Sequence, residues 1–93
     1  MASLYISCFG GQDKGVAIDP KQSEALTTSS TSAASGALKG KYIKLQSADA
    51  HWVYLAPGTV AATATNGSYL AANEILWLAV PNDTYKVNSR TVA

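Results

Sequence analysis

The chain has 93 residues, of which 47% are hydrophobic and 14% are charged, with seven Lys and Arg against six Asp and Glu. This length suits one domain. The balanced charge gives neither the basic stripe of a nucleic-acid-binding protein nor the polybasic patch that an anionic membrane attracts. Cys8 and His51 are the only cysteine and the only histidine. An intrachain disulfide and a Cys/His zinc site are therefore excluded, we expect no metal or other cofactor, and oligomerisation is the remaining way to stabilise a small core.

The N-terminal residues Met1–Ile6 have neither the basic start nor the long apolar run of a signal peptide. No apolar run elsewhere approaches the roughly 20 residues that span a bilayer. We therefore expect synthesis in the cytoplasm and no membrane partner.

The first residues favour strands and turns. Leu4–Phe9 combines β-branched and aromatic residues with small ones, which predicts a strand that ends at Gly10-Gly11. Val16–Ile18 predicts a second, short strand that the turn pair Asp19-Pro20 closes. We assign residues 1–20 to an N-terminal arm or to edge strands, and residues 21–93 to a β-sandwich domain.

The segment Ser23–Gly36 is rich in Ser, Thr and Ala. Ser and Thr side chains compete for the backbone hydrogen bonds of a helix, which argues against one here. Two interpretations remain: a flexible linker, or an extended strand through about Ser30 that is followed by a loop. We favour the strand.

The middle of the chain gives the clearest strand patterns. Lys41–Gln46 alternates so that Ile43 and Leu45 share one face. His51–Ala56 predicts a further strand, and we expect the two to form a hairpin. Asn66-Gly67 is the strongest short hairpin signal in the sequence.

The last third predicts a strand at Tyr69-Leu70 and another at Glu74–Val80. The second is a continuous apolar run, which is typical of a strand buried on both faces. Thr84–Val87 and Arg90–Val92 predict the final short strands. Turn signals recur at the interval of roughly 8 to 12 residues that all-β domains show. The predicted fold is therefore all-β: a small antiparallel β-sandwich or a jelly-roll-like barrel, with short strands and an extended N-terminal arm.

Catalytic patterns are weak. Ser47, Asp49 and His51 are two residues apart and would share one face of a continuous strand, but alternate residues there lie about 7 Å apart. A catalytic relay of a hydrolase needs a bent arrangement in which Asp hydrogen-bonds to His and His hydrogen-bonds to Ser. Cys8 has apolar neighbours and no flanking base, which favours a buried, inert thiol. We expect no catalytic residues and no enzymatic activity.

Two strands carry apolar side chains on both faces. We select five residues of these strands as candidates for the core or for an interface. Either both strands are central in the sandwich, or one face of each packs on a neighbouring subunit, where Trp and Tyr are favoured. We predict that Trp77→Ala destabilises the fold itself by several kcal/mol, in the range of large-to-small core changes. The five candidates are Trp52, Tyr54, Leu76, Trp77 and Leu78.

Three stretches resemble small virion proteins of tailed bacteriophages: KYIKLQS at 41–47, HWVYLA at 51–56 and NGSYLAANE at 66–74. The shared order is a strand, an aromatic strand, a turn, Tyr-Leu-x-Ala and an apolar strand, and the resemblance covers about residues 22–93. It implies a small β-sandwich or β-barrel on the capsid surface of the virion. Such decoration (cement) proteins are commonly trimeric, sit where capsomers meet and bind the major capsid protein.

The resemblance therefore implies a capsid decoration protein that forms a homo-oligomer, with a trimer favoured. The alternative within the virion is a tail or head-fibre component with a glycan-binding surface. A soluble carbohydrate-binding module is a rival from another class, which Trp52 or Trp77 exposed at a shallow groove would favour. A small hydrolase would require Ser47, Asp49 and His51 to converge in a cleft.

Overall fold

The computed structural model describes residues 2–92, and these contain β-strands and no helix. Two four-stranded antiparallel sheets pack face to face, and they do not close into a barrel, so the predicted all-β sandwich is confirmed. The strands are β1 (Ala2–Asp13), β2 (Val16–Thr28), β3 (Ala33–Ala34), β4 (Tyr42–Gln46), β5 (His51–Pro57), β6 (Ser68–Leu70), β7 (Ile75–Ala79) and β8 (Tyr85–Thr91). Sheet A has the strand order β2-β1-β4-β7, and sheet B has the order β3-β8-β5-β6.

The hydrophobic core lies between the two sheets. Because side chains alternate between the two faces of a strand, the longer strands contribute every second residue to it. The buried cluster comprises Leu4, Ile6, Cys8, Leu26, Leu38, Ile43, Leu45, Val53, Leu70, Val80 and Val87.

The first two strands form one long hairpin of 12 and 13 residues. Its turn is Lys14-Gly15, whose φ angles of 52° and 80° suit the two-residue turn that needs positive φ at both positions. The predicted turn at Gly10-Gly11 is wrong, because β1 continues through both glycines.

β1 is an inner strand of sheet A. Between Tyr5 and Phe9 it pairs with β4 on one side and with β2 on the other. The boundary predicted at residue 20 falls inside β2, and β1 supplies part of the core. The N-terminal residues therefore lie in the sandwich: β1 is an inner strand, and residues 16–20 begin β2, an edge strand of sheet A. Beyond Phe9 the two hairpin strands pair only with each other, so the hairpin extends past Tyr42, the first residue of β4.

The strands predicted at 41–46 and 51–56 are confirmed as β4 and β5, but the predicted hairpin between them is wrong. The two strands lie in different sheets, so residues 47–50 cross from one sheet to the other. The extended strand favoured through about Ser30 is confirmed by β2, which ends at Thr28. Asn66-Gly67 does not form a tight hairpin turn; it ends the long loop between β5 and β6, where Gly67 N–H donates to the Thr63 carbonyl (2.9 Å).

The apolar run near residue 75 forms β7, an edge strand of sheet A. Leu76 and Leu78 pack against the core, whereas Ile75 and Trp77 are 48% and 50% exposed. The prediction of a strand buried on both faces is therefore wrong. The two short strands predicted near the C-terminus are one continuous strand, β8.

Candidate functional site

The middle of the outer face of sheet B is covered by the chain itself. The loop between β5 and β6 lies over Asn88, which is fully buried. Asn88 Oδ1 accepts a hydrogen bond from Val60 N–H (3.1 Å), and Asn88 Nδ2 donates to the carbonyl oxygens of Tyr54 (3.3 Å) and Gly58 (3.2 Å). This loop closes that part of sheet B to a partner.

The outer face of sheet A is open. Strand pairing places three rows of side chains across β1, β4 and β7 on this face. We call Tyr5, Phe9, Tyr42, Ile75 and Trp77 the aromatic face. The three rows are Tyr5-Gln46-Ile75, Ser7-Lys44-Trp77 and Phe9-Tyr42-Ala79.

Three members of the aromatic face are about half exposed or more: Tyr5 at 57%, Trp77 at 50% and Ile75 at 48%. The rings of Phe9 and Trp77 are in contact, with centroids 5.6 Å apart and planes at 45°. Lys44 lies in the middle row between β1 and β7 and is the one charged residue of the three rows. The face therefore combines exposed apolar rings with one central cation.

A groove of about 260 Å³ lies beside Trp77, where the end of the β1–β2 hairpin approaches the sheet. Gln12, Gly15 and Ala17 line it on the hairpin side, and Tyr42 and Trp77 line it on the sheet side. Gln12 Nε2 lies 3.5 Å from the Tyr42 hydroxyl oxygen, a long hydrogen bond. Two aromatic rings and a few polar groups in a concave surface are the usual composition of a small-ligand site.

The five residues predicted for the core or an interface do not come together. Leu76 and Leu78 pack against the core, while Trp77 belongs to the aromatic face. Trp52 and Tyr54 are half-buried on β5, in the other sheet. The predicted set therefore divides into core residues and residues on two separate surfaces.

Sequence reasoning missed Tyr5, Phe9 and Tyr42 as site residues. The alternation within Leu4–Phe9 was a usable signal, because burying one set of side chains in a strand exposes the other set. What the sequence could not supply was the pairing of β1 with β4, which brings the three rings onto one surface.

Ser47, Asp49 and His51 do not form a catalytic relay. His51 is fully buried; its Nδ1 donates to the backbone carbonyl of Asp49 (2.8 Å), and its Nε2 lies 2.6 Å from Thr28 Oγ1, which is also buried. Ser47 Oγ donates to the Ser3 carbonyl (2.7 Å). The Asp49 carboxylate takes part in none of these bonds, so His51 acts as a hydrogen-bonded tie between β2 of sheet A and β5 of sheet B.

The predicted burial of Cys8 is confirmed. Its Sγ lies 3.8 Å from Gln22 Oε1. Burial raises the pKa of the Cys8 thiol, the negative charge of Glu24 adds to the rise, and the backbone N–H of Lys39 acts in the opposite direction. A raised pKa keeps the thiol protonated and poorly nucleophilic.

A larger cavity, of about 520 Å³, lies at the opposite end of the sandwich, beside the start of β1 and the end of β8. The described residues that line it include one charged group, Asp49, and no aromatic ring. Within residues 2–92, no three His, Cys, Asp or Glu side chains are grouped so as to hold a metal ion. The same part of the chain contains no helix with the length and hydropathy needed to cross a membrane.

No protein-family model matches the chain, and comparison with curated proteins and with solved structures finds no significant match.

Proposed function

We propose that this chain is a viral structural protein, a capsid decoration protein that stabilises a bacteriophage head by docking its aromatic face on the major capsid protein. The observation that carries the proposal is the open aromatic face of sheet A, which contrasts with the covered middle of sheet B. The resemblance of residues 22–93 to small phage virion proteins supports the capsid protein as the partner. A homo-oligomer on the capsid surface is part of the same proposal.

In this function the protein would act through the surface area that it buries against the capsid protein, and not by catalysing a reaction. Tyr and Trp anchors contribute more binding energy than other residues at protein interfaces, and Tyr5 and Trp77 each leave about half of their surface exposed. Lys44 at the centre of the face adds orientation by pairing with an acidic group. Because many copies bind one particle, modest individual affinities add up.

The proposal predicts that capsids prepared without this protein bind it and then release their DNA at a higher temperature. Tyr5→Ser should weaken binding at least about tenfold, in the range of an interface anchor. Tyr69→Ser is the matched control, because Tyr69 is 53% exposed on sheet B against 57% for Tyr5 on sheet A. Co-sedimentation measures the binding, and circular dichroism shows whether both variants fold.

Two outcomes would count against this function in different ways. If the parent chain does not bind the capsids, the decoration function is wrong. If the parent chain binds and the two tyrosine variants bind equally well, the capsid partner stands but the aromatic face is not its docking surface.

A second candidate is glycan binding, as in a tail or head-fibre component. The groove beside Trp77 favours it, because the half-exposed indole, the Tyr42 ring and the Gln12 amide offer a stacking surface with hydrogen-bonding groups for a sugar ring.

This candidate predicts a fluorescence change when sugars are added to a Trp52→Phe variant, in which Trp77 is the remaining tryptophan. A panel of mono- and oligosaccharides up to about 10 mM covers the weak affinities expected for single sugars. Gln12→Ala should reduce the response, and Gln46→Ala, a change of the same kind outside the groove, should leave it unchanged. No response from any sugar would rule out this site for glycans.

A further inference from the structure

β7 leaves one edge of sheet A open. It is a five-residue strand, Ile75–Ala79, with no charged residue and no proline, and no described residue pairs with its outer side. Edge strands are usually protected by charges, prolines, bulges or a covering segment. The opposite edge strand, β2, carries such protection in its own sequence: it contains Asp19, Pro20, Lys21 and Glu24, and its register with β1 shifts between Cys8 and Phe9.

The pairing of β7 with β4 determines which backbone N–H and C=O groups of β7 point toward the open edge. Val80 N–H donates to the Lys41 carbonyl (2.7 Å), in the register that pairs Lys44 with Trp77. In an antiparallel ladder, alternate residues direct both backbone groups toward the same neighbour. The backbone N–H and C=O groups of Leu76 and Leu78 therefore point toward β4. Ile75, Trp77 and Ala79 direct their N–H and C=O groups away from it, toward the open edge.

These three outward-facing residues are symmetric about Trp77. We propose that β7 pairs antiparallel with β7 of a second copy, across a two-fold axis that passes beside Trp77. In this register Trp77 lies opposite Trp77 of the second copy, and Ile75 lies opposite Ala79. All the outward groups then find partners, which gives roughly six hydrogen bonds between the copies.

The side chains agree with this pairing. β7 brings no charge to the interface, and the net charge of +1 per chain gives little repulsion between copies. Leu76 and Leu78, partly buried against the core, would lose their remaining exposure at the edge. Because Ile75 and Trp77 stay on the outer face, pairing joins two aromatic faces into one surface on an eight-stranded sheet.

The two-fold register has a consequence for assembly. It forms dimers or even-numbered oligomers, not the trimer that the resemblance to decoration proteins implies. Five residues per copy bury less area than a standard interface, so the dimer should depend strongly on concentration. This inference does not rest on the proposed function, since it concerns free protein in solution.

The first test is the mass in solution by analytical ultracentrifugation, from micromolar to millimolar concentration. We expect a rise from 9.7 kDa toward twice that value. Ala79→Pro removes an outward N–H and no bond to β4, and proline is tolerated at such an edge position. It should abolish the rise, while Ala79→Thr, which keeps the N–H, should retain it. A monomer at all concentrations, a trimer, or equal behaviour of the two variants would overturn the proposal.

The second test fixes the register. In a Cys8→Ala background, Trp77→Cys puts two thiols directly opposite each other. Their Cα atoms would be about 5.5 Å apart, within the range that a disulfide spans. Ile75→Cys is the matched control, because its two copies would lie roughly 13 Å apart. Mild oxidation should cross-link the first variant and not the second, and equal cross-linking of both, or of neither, would contradict the two-fold register.

Discussion

Leu45→Ala is expected to be among the most damaging substitutions in the chain, lowering the free energy of unfolding by about 2–5 kcal/mol. Leu45 is fully buried in the cluster between the sheets. It pairs with Ile6 of β1 and Leu76 of β7 in the ladder of sheet A, so its removal leaves a cavity whose walls the backbone holds in place. The midpoint temperature of unfolding should fall by roughly 10–30 °C for a domain of this size.

Trp77→Ala provides the comparison on the neighbouring strand. Trp77 is the larger residue but is 50% exposed, so its loss should cost only about 1–2 kcal/mol and not the several expected of a core residue. Urea unfolding at low protein concentration, where pairing between copies is negligible, measures both values. A greater loss for Trp77→Ala than for Leu45→Ala would mean that the core has been placed wrongly.

The contrast between these two residues shows what the sequence of β7 could and could not reveal. The continuous apolar run correctly predicted a strand, because strand formation follows from local patterning. The prediction that both faces are buried was wrong. Apolar composition shows that exposing these side chains to water is unfavourable, but it does not show which side chains another surface covers. Trp77 contacts Phe9 and keeps half of its surface exposed, so the apolar run indicates the strand and not the burial of both its faces.

Strand pairing was the least predictable part of the fold. Alternation gave β4 and β5 with nearly correct bounds, because a period of two is a local property. Their assignment to different sheets depends on long-range pairing: β4 pairs with β1 and β7, whereas β5 pairs with β6 and β8. Nothing in residues 47–50 distinguishes a sheet-crossing loop from a hairpin turn.

The N-terminal hairpin shows how a strong local signal misleads. Gly10-Gly11 matches the usual composition of a turn, whereas the actual turn begins with Lys14, an uncommon residue at positive φ. At Gly10 a Cβ would meet only the ends of the exposed Asp19 and Lys21 side chains, so neither a turn nor a close approach of backbones requires glycine there. The composition of the pair thus matches a turn that the chain does not make.

His51→Ala is the second substitution with a large expected effect, a loss of about 2–4 kcal/mol. The change removes a fully buried ring and leaves the Thr28 hydroxyl without its partner in the core. Thr28→Val, which keeps the shape but leaves the His51 Nε2 unpaired, should cost about 1–3 kcal/mol. The two effects should not add in the double variant, because they remove the same hydrogen bond.

Asp49→Ala decides whether this histidine is structural or part of a relay. The acceptor for His51 Nδ1 is the backbone carbonyl of Asp49, which alanine retains, so the change should alter stability by no more than about 0.5 kcal/mol. Denaturant unfolding of the three single variants and the Thr28→Val/His51→Ala pair completes the measurement. A loss for Asp49→Ala as large as that for His51→Ala would show that the carboxylate holds the ring. The triad-like spacing would then need to be reconsidered, whereas the expected pattern leaves His51 as a buried tie between the two sheets.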